Sequence, residues 1–167
     1  MNTFIRSVLL IIFVFSGANS QAETRIAVLD FELKDLTLAP GKPEEIQRTA
    51  SIKPLLENQL RQAGYRIVSI DSDDQQKADS GRGYLFDHFE IAAALGDNVE
   101  ADYVIVGRLH KPSFLFAYLM ARLVRVRNGQ LIGDYISEVK GPQMKLTLKG
   151  VESLTVKVDS ALSSNNK

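Results

Sequence analysis

The chain has 167 residues, of which 45% are hydrophobic and 24% are charged, with 20 Lys and Arg balancing 20 Asp and Glu. This apolar share is too high for a disordered chain, and a net charge of zero argues against nucleic-acid binding, which normally requires a basic excess. The sequence has no cysteine. We therefore expect no disulfide, no thiolate metal site and no cysteine-linked lipid.

Residues 1–22 have the three-part layout of a secretory signal peptide. Arg6 is the only charge in this segment, residues 8–15 form an unbroken apolar run, and small and polar residues follow. The apolar run is about half as long as the roughly 20 residues that a membrane span needs. We therefore expect export to the bacterial periplasm, with cleavage after Ala22 (Ser20 is the second choice), and no stable membrane span afterwards.

The next part of the chain predicts a strand, a loop, a helix and a second strand. Residues 25–31 are almost continuously apolar, as in a strand that is covered on both faces, and residues 32–42 predict an exposed loop. Apolar residues at three- and four-residue steps over 52–63 predict a helix that Gly64 ends. Residues 65–70 predict the second strand.

The middle of the chain predicts a second crossover. Residues 71–83 are polar and contain glycine, which is typical of a mobile loop. Residues 85–95 predict a second helix that Gly96 closes, and residues 103–107 predict a third strand. Strands that alternate with helices favour parallel pairing.

Two long apolar runs, 114–127 and 130–139, flank Asn128 and Gly129. This pattern predicts a β-hairpin whose two turn residues both have positive φ. A helix over the first part of the run is the alternative, because Leu, Ala and Met are good helix formers. The β-branched Val124 favours the strand.

Apolar spacing over residues 151–162 predicts a final amphipathic helix, and residues 163–167 predict a disordered tail. The predicted order is therefore β-α-β-α-β-β-β-α. We expect an α/β protein, α+β-like, with helices packed on a mixed sheet in one domain over residues 23–162.

No set of residues has the spacing of a catalytic or metal site. His88 and His110 lie 22 residues apart without ligand-spaced partners, so we expect no metal and no cofactor. Asp30 ends a predicted strand, where open α/β sheets often bind ligands. A pocket lined by Asp30, His110 and Ser113 is the alternative to a purely binding protein, and it predicts a small-ligand binder or a minor enzyme.

The most informative stretch is the run that begins at Phe114. In a strand, Phe114, Phe116, Tyr118 and Met120 share one face and smaller apolar residues share the other. The simpler expectation is that a helix covers the aromatic face. If no helix covers the aromatic face, we expect that face to bind a partner. The candidate partner-binding residues are Arg108, His110, Phe114, Phe116, Tyr118 and Met120.

Three segments resemble periplasmic CsgG-like domains and the TolB N-terminal domain. These are the opening strand at 25–31, the Ala-Gly-Tyr-Arg-Ile-Val segment at 63–68, and the Ala-Asp-Tyr-Val-Ile-Val-Gly segment at 101–107. Residues 107–114 also resemble the hallmark of an uncharacterised family of small secreted bacterial proteins. Members of that family often accompany periplasmic quinoprotein dehydrogenase genes, so this resemblance implies a gene neighbourhood and not a mechanism.

The resemblance implies adaptor work, in which the protein binds other proteins and catalyses nothing. It implies that the partner is an unidentified periplasmic or envelope protein. It also implies an accessory role in a periplasmic dehydrogenase system. A homodimer formed at the edge of the hairpin is a further expectation. The chain lacks the β-propeller of TolB and the lipid-bearing cysteine of the curli pore. Membership of the Tol–Pal system and pore formation are therefore not implied.

Overall fold

The computed structural model describes residues 23–140 and 144–165, so the predicted signal peptide lies outside the described residues. The strands are β1 Arg25–Val28, β2 Glu32–Asp35, β3 Arg66–Val68, β4 Tyr103–Lys111, β5 Phe116–Arg125 and β6 Gln130–Lys140. The helices are α1 Pro43–Ala50, α2 Ile52–Gln62, α3 Ser72–Ala78, α4 Tyr84–Asp87, α5 Phe89–Asn98 and α6 Met144–Asn165.

The six strands form one mixed sheet in the order β3-β1-β4-β5-β6. β1 pairs in parallel with β3 and β4, whereas β4, β5 and β6 pair antiparallel. β2 lies beyond β1 along the same edge of β4 and also pairs with it in parallel. The predicted mixed α/β fold and its parallel crossovers are therefore confirmed.

The loop predicted at residues 32–42 is wrong over its first four residues, which form β2. β4 is nine residues long and extends past the end of β1, so its edge remains free for a second partner. Within β2, Leu33 packs against the core, and its neighbours are polar or charged. Apolar periodicity could not identify such a strand, because its formation depends on the free edge of β4.

The predicted helix at residues 52–63 is confirmed as α2, and Gly64 follows it with a φ of +93°. α1 precedes it and begins with Pro43 at its first position, where the missing N–H costs no hydrogen bond. The loop predicted at residues 71–83 is wrong in part because it contains α3. The Asp71 side chain caps α3 by accepting a hydrogen bond from the Asp73 N–H at 2.8 Å.

The second predicted helix is divided in two at His88, which separates α4 from α5. Gly96 does not end α5, which continues to Asn98. A Cβ at this position would approach Val104 and Val126, so Gly96 allows the helix to pack closely on the sheet.

The predicted hairpin is confirmed, and a strand, not a helix, follows Phe114, although β5 covers Phe116–Arg125 and not the whole of 114–127. β5 and β6 pair from Phe116↔Lys140 to Arg125↔Gln130. The predicted turn geometry is wrong, because only Gly129 has a positive φ, at +62°. A 3-10 turn over Val126–Asn128 carries the chain round before Gly129, so the connection is longer than a two-residue turn.

Two apolar clusters fill the two sides of the sheet. α2 and α6 cover one side, where Leu56, Leu60 and Leu154 pack on the strands. α4 and α5 cover part of the other side through Leu85, Phe86 and neighbouring residues. All residues of both clusters lie between positions 26 and 162. α6 itself continues to Asn165, three residues into the predicted tail.

Candidate functional site

One row of side chains crosses four strands on the side of the sheet that α4 and α5 only partly cover. The backbone register places Lys34 of β2 beside His110 of β4, His110 beside Tyr118 of β5, and Tyr118 beside Glu138 of β6. Lys34, His110 and Tyr118 are half-buried, and Glu138 is exposed. This row belongs to neither apolar cluster, so the far part of the sheet remains uncovered.

Two further residues extend this row into a surface. Phe116 lies two residues before Tyr118 on the same face of β5, and Ile136 lies two residues before Glu138 on β6. Phe116 is half-buried and Ile136 is exposed. We call the resulting surface the open face; it comprises Lys34, His110, Phe116, Tyr118, Ile136 and Glu138.

The aromatic rings of the open face contact one another. The Tyr118 ring stacks near the His110 ring, with centroids 6.4 Å apart and an interplanar angle of 22°. Phe116 approaches Tyr118 edge to face at 6.0 Å. Burial lowers the pKa of His110, and the positive charges of Lys34 and Arg108 lower it further. Because of this lowered pKa, His110 is neutral near pH 7.

Arg108, a predicted contact residue, is buried and does not belong to the open face. Its Nε donates to the Glu32 carboxylate at 2.6 Å, and its Nη2 lies 3.3 Å from a carboxylate oxygen of Asp87. The guanidinium of Arg108 also lies 4.3 Å from the centre of the Phe86 ring. Arg122 is equally close to that ring. The two arginines therefore hold α4 against the sheet.

The structure also separates Met120 and Phe114 from the aromatic face. Met120 is half-buried and packs against the second apolar cluster. Phe114 precedes β5 and lies in the loop after β4, so the strand alternation does not reach it. Its ring lies 5.7 Å from the Lys42 ammonium group and 5.9 Å from that of Lys111. Of the six predicted contact residues, His110, Phe116 and Tyr118 remain together.

The alternative pocket does not bring its three residues together. The Asp30 carboxylate binds the Lys53 ammonium group at 3.0 Å and accepts a hydrogen bond from Ser72 at 2.9 Å. Asp30 lines cavities of about 320 and 240 Å³ at the carboxyl end of β1, and neither His110 nor Ser113 lines them. The Ser113 hydroxyl accepts a hydrogen bond from the Leu115 N–H at 3.3 Å.

A buried cluster of charges was missed by the sequence analysis. The Glu45 carboxylate lies 2.8 Å from the Lys111 ammonium group and 3.3 Å from Arg48. Arg48 in turn donates to the Thr147 hydroxyl at 2.8 Å, which joins α1 to α6. These charged residues are almost fully buried. A charged pattern in a short helix normally indicates a solvated face, so no sequence signal identified the cluster.

Asp35 lies beside this cluster, opposite Lys111 in the pairing of β2 with β4. Burial on its own raises the pKa of a carboxyl group. Hydrogen bonds from Thr37 and the positive charge of Lys111 outweigh this effect, and the pKa of Asp35 is below its usual value. Asp35 is therefore an ionised, buried residue that helps to fix β2.

No group of three or more His, Asp or Glu side chains in the described ranges could hold a metal ion. Among the helices of residues 23–140 and 144–165, none combines the length and the apolar character that crossing a membrane requires.

The fold and the open face define a class: a mixed α/β protein in which helices cover one side of the sheet and only part of the other. The chain belongs to the DUF3280 family, which is described as a protein of unknown function (DUF2380), and the family model matches residues 24–157. No curated protein matches the sequence.

Several solved structures share the fold. The hypothetical protein CT253 from Chlamydia trachomatis is 11% identical, with a TM-score of 0.58 over 85% of this chain and 99% of that chain. A PelC dodecamer from Paraburkholderia phytofirmans is 17% identical, with a TM-score of 0.52 over 84% and 87%. TolB from Acinetobacter baumannii is 14% identical, with a TM-score of 0.51 over 85% of this chain and 29% of TolB.

At the level of the fold, the likeness to TolB agrees with the resemblance seen in the sequence. The resemblance to CsgG-like domains stays a prediction.

Proposed function

We propose that this protein is a non-catalytic periplasmic adaptor that binds another protein through the open face. The observation that carries the proposal is the uncovered row of Lys34, His110, Tyr118 and Glu138 across four strands. Tyr and Phe are enriched in protein interfaces, because they bury a large area while losing few rotamers.

The rigidity of the open face supports this role. Its side chains stand on paired strands, and the stacked rings of His110 and Tyr118 restrict each other. A surface that is already ordered loses less conformational entropy on binding. The charges of Lys34 and Glu138 at the two ends of the row favour a partner with the opposite arrangement of charge.

The comparisons add support of a general kind. A PelC protein with this fold occurs as a dodecamer, so the fold is compatible with extensive protein–protein contact. The predicted export signal supports a periplasmic location. An accessory role in a periplasmic dehydrogenase system is the narrower form of the proposal. It is tested by asking whether a dehydrogenase is captured with this protein.

Site-specific photo-crosslinking tests the proposal. A photoreactive amino acid replaces Tyr118 on the open face or Tyr84, which forms a comparable Tyr–His stack with His88 at 4.3 Å. We expect position 118 to capture a defined periplasmic protein that position 84 does not capture. The interaction should then be rebuilt from the two purified proteins. Equal capture from both positions would contradict the proposed role of the open face.

Processing is a separate part of the proposal. We propose that cleavage follows Ala22 and that residues 23–162 form one domain. Both apolar clusters lie inside this range, which supports independent folding of the mature chain. The mass of the protein recovered from a bacterial periplasm tests the cleavage site, and limited proteolysis of that protein tests the domain boundary.

A further inference from the structure

Two neighbouring loops expose four large apolar side chains at the carboxyl ends of β2 and β4. Leu36 and Leu38 lie in the loop before α1 and are 59% and 97% exposed. Phe114 and Leu115 lie in the loop before β5 and are 51% and 75% exposed. We call these four residues the apolar tip. Side chains of this type are normally buried, so their concentration in two adjacent loops requires an explanation.

The apolar tip is held in place by contacts between the two loops. The Leu36 N–H donates to the main-chain oxygen of Lys111 at 2.9 Å, which joins the starts of both loops. The Lys42 ammonium group lies 5.7 Å from the centre of the Phe114 ring, which joins the end of one loop to the other. These two contacts hold the loops beside each other, so the four apolar side chains project from neighbouring parts of the surface.

Basic residues border the apolar tip. Lys42 contacts Phe114, Lys34 lies two residues before Leu36, and Lys140 lies opposite Phe116 at the end of β6. None of these lysines forms an ion pair within the part of the chain that the structure describes. The buried group of Asp35, Glu45, Arg48 and Lys111 beside the tip carries no net charge. The exposed acidic residues nearby are Glu44 and Glu138, so the three lysines leave an excess of one positive charge around the tip.

We propose that the apolar tip docks this protein onto the surface of an anionic phospholipid bilayer. Apolar side chains that project from loops can enter the boundary between headgroups and acyl chains one by one, whereas a protein partner would have to offer a matching socket for each. The bordering lysines are attracted to anionic headgroups. Their long side chains allow the ammonium groups to remain in the headgroup layer.

The apolar tip adjoins the open face. Lys34 of the open face lies two residues before Leu36, and Phe116 directly follows Leu115. Tyr118, Ile136 and Glu138 lie further from the tip along β5 and β6. The docking proposal goes beyond the adaptor role and does not depend on it.

Vesicle co-sedimentation tests the proposal on the chain from Glu23 to Lys167, which contains both apolar clusters. The probes are vesicles of phosphatidylcholine alone and of phosphatidylcholine mixed with phosphatidylglycerol in equal amounts. We expect binding to the mixed vesicles that weakens as salt is added, because salt screens the lysine charges. L38S/L115S should lower the partition coefficient by at least about tenfold, because both leucines lose their apolar burial.

Two more variants separate the contribution of the lysine charges from that of the apolar side chains. K42Q/K140Q should lower binding to the mixed vesicles by about fivefold per lysine and leave the weak binding to phosphatidylcholine unchanged. I136S/V156S is the matched control, because Ile136 and Val156 are exposed apolar residues outside the tip. It should bind as the wild-type protein does. Thermal melts verify that all the variants fold.

Two outcomes would overturn docking on lipid. The first is that the wild-type chain does not bind the mixed vesicles at physiological salt, or that I136S/V156S loses as much binding as L38S/L115S does. The second is that L38S/L115S loses a crosslinked protein partner while vesicle binding stays at its wild-type level. The tip would then be a protein contact.

Discussion

Lys157 of α6 donates a hydrogen bond from its ammonium group to the main-chain oxygen of Ile136, at 2.6 Å. Ile136 lies in β6, the eleven-residue strand at one edge of the sheet. The unpaired backbone groups of a long edge strand are a template for pairing with another chain, and charged side chains often protect them. Lys157 binds one such backbone group, the main-chain oxygen of Ile136, near the middle of β6. A register shift near the hairpin turn further interrupts the edge.

Removal of this protection should increase self-association. We predict that Lys157→Ala converts part of the protein to a dimer that pairs through β6, because the Ile136 oxygen becomes available to a second strand. Light scattering over a concentration series measures the change. Lys149→Ala, an exposed lysine on the same helix, is the control and should leave the mass unchanged. A wild-type dimer already paired through β6 would contradict the protective role, although it would agree with the homodimer expected from the sequence.

The buried charge cluster predicts a large effect of a small substitution. Glu45→Gln removes the carboxylate that forms ion pairs with both Lys111 and Arg48, so both buried cations lose an ion pair, although Asp35 still lies beside Lys111. Such a loss typically costs about 3 kcal/mol of unfolding free energy. Chemical denaturation measures it. Glu44→Gln alters an exposed neighbour and should cost less than about 0.5 kcal/mol.

A double substitution distinguishes charge from shape in the same cluster. Adding Lys111→Met to Glu45→Gln removes one of the two buried cations, so part of the lost stability should return. If Glu45→Gln proves as mild as Glu44→Gln, the ion pairs do not stabilise the attachment of α1.

The parts of the fold that were predictable from the sequence have strong local patterns. The nearly continuous apolar run at residues 25–31 identified the buried strand β1, and alternation in β5 placed Phe116 and Tyr118 on one face. β2 and α3 were missed because their sequences are short and polar, and contacts with residues far away in the sequence stabilise them. Gln75 of α3, for example, accepts a hydrogen bond from the Asp30 N–H, 45 residues away.

The candidate site was predictable to a similar extent. Strand alternation correctly grouped Phe116 with Tyr118, but it could not show that α4 and α5 leave this part of the sheet uncovered. Arg108 was misplaced because its burial depends on Glu32, 76 positions earlier, and on Asp87. One sequence signal could have indicated that Leu36 and Leu38 are exposed. They lie in a segment that contains Lys, Pro and Gly, and they do not belong to the apolar pattern of a predicted helix or strand.

Gly107 predicts a strict limit on side-chain size in β4. A Cβ at this position would overlap the ring of Phe31, which packs directly over the strand. We predict that Gly107→Ala lowers the unfolding free energy by about 1–3 kcal/mol, because the ring and the strand must move apart. Thermal or chemical denaturation measures the loss. Gly107→Ala combined with Phe31→Leu should lower the unfolding free energy by less than the sum of the two single changes. Strict additivity would show that the methyl group introduced by Gly107→Ala does not press on the ring of Phe31.

Tyr65 predicts a loss of stability at alkaline pH. Burial raises the pKa of its hydroxyl to about 12, and the hydrogen bond that it donates to Asp159 at 2.7 Å contributes to this rise. In the unfolded chain the group ionises near its usual pKa of 10.0. Its stabilising contribution is therefore complete below pH 10 and declines as the pH rises from 10 towards 12.

Substitution of either partner tests this prediction. Tyr65→Phe cannot ionise, and Asp159→Asn removes the carboxylate that accepts the hydrogen bond. We expect both variants to be less stable than the wild type at about pH 8, and Tyr65→Phe to show a flatter decline in unfolding free energy up to about pH 11. Denaturant unfolding at a series of pH values measures both effects. If the unfolding free energy of Tyr65→Phe falls with pH as steeply as that of the wild type, ionisation of other groups causes the alkaline loss. The contact between Tyr65 and Asp159 would then not be responsible for the pH dependence.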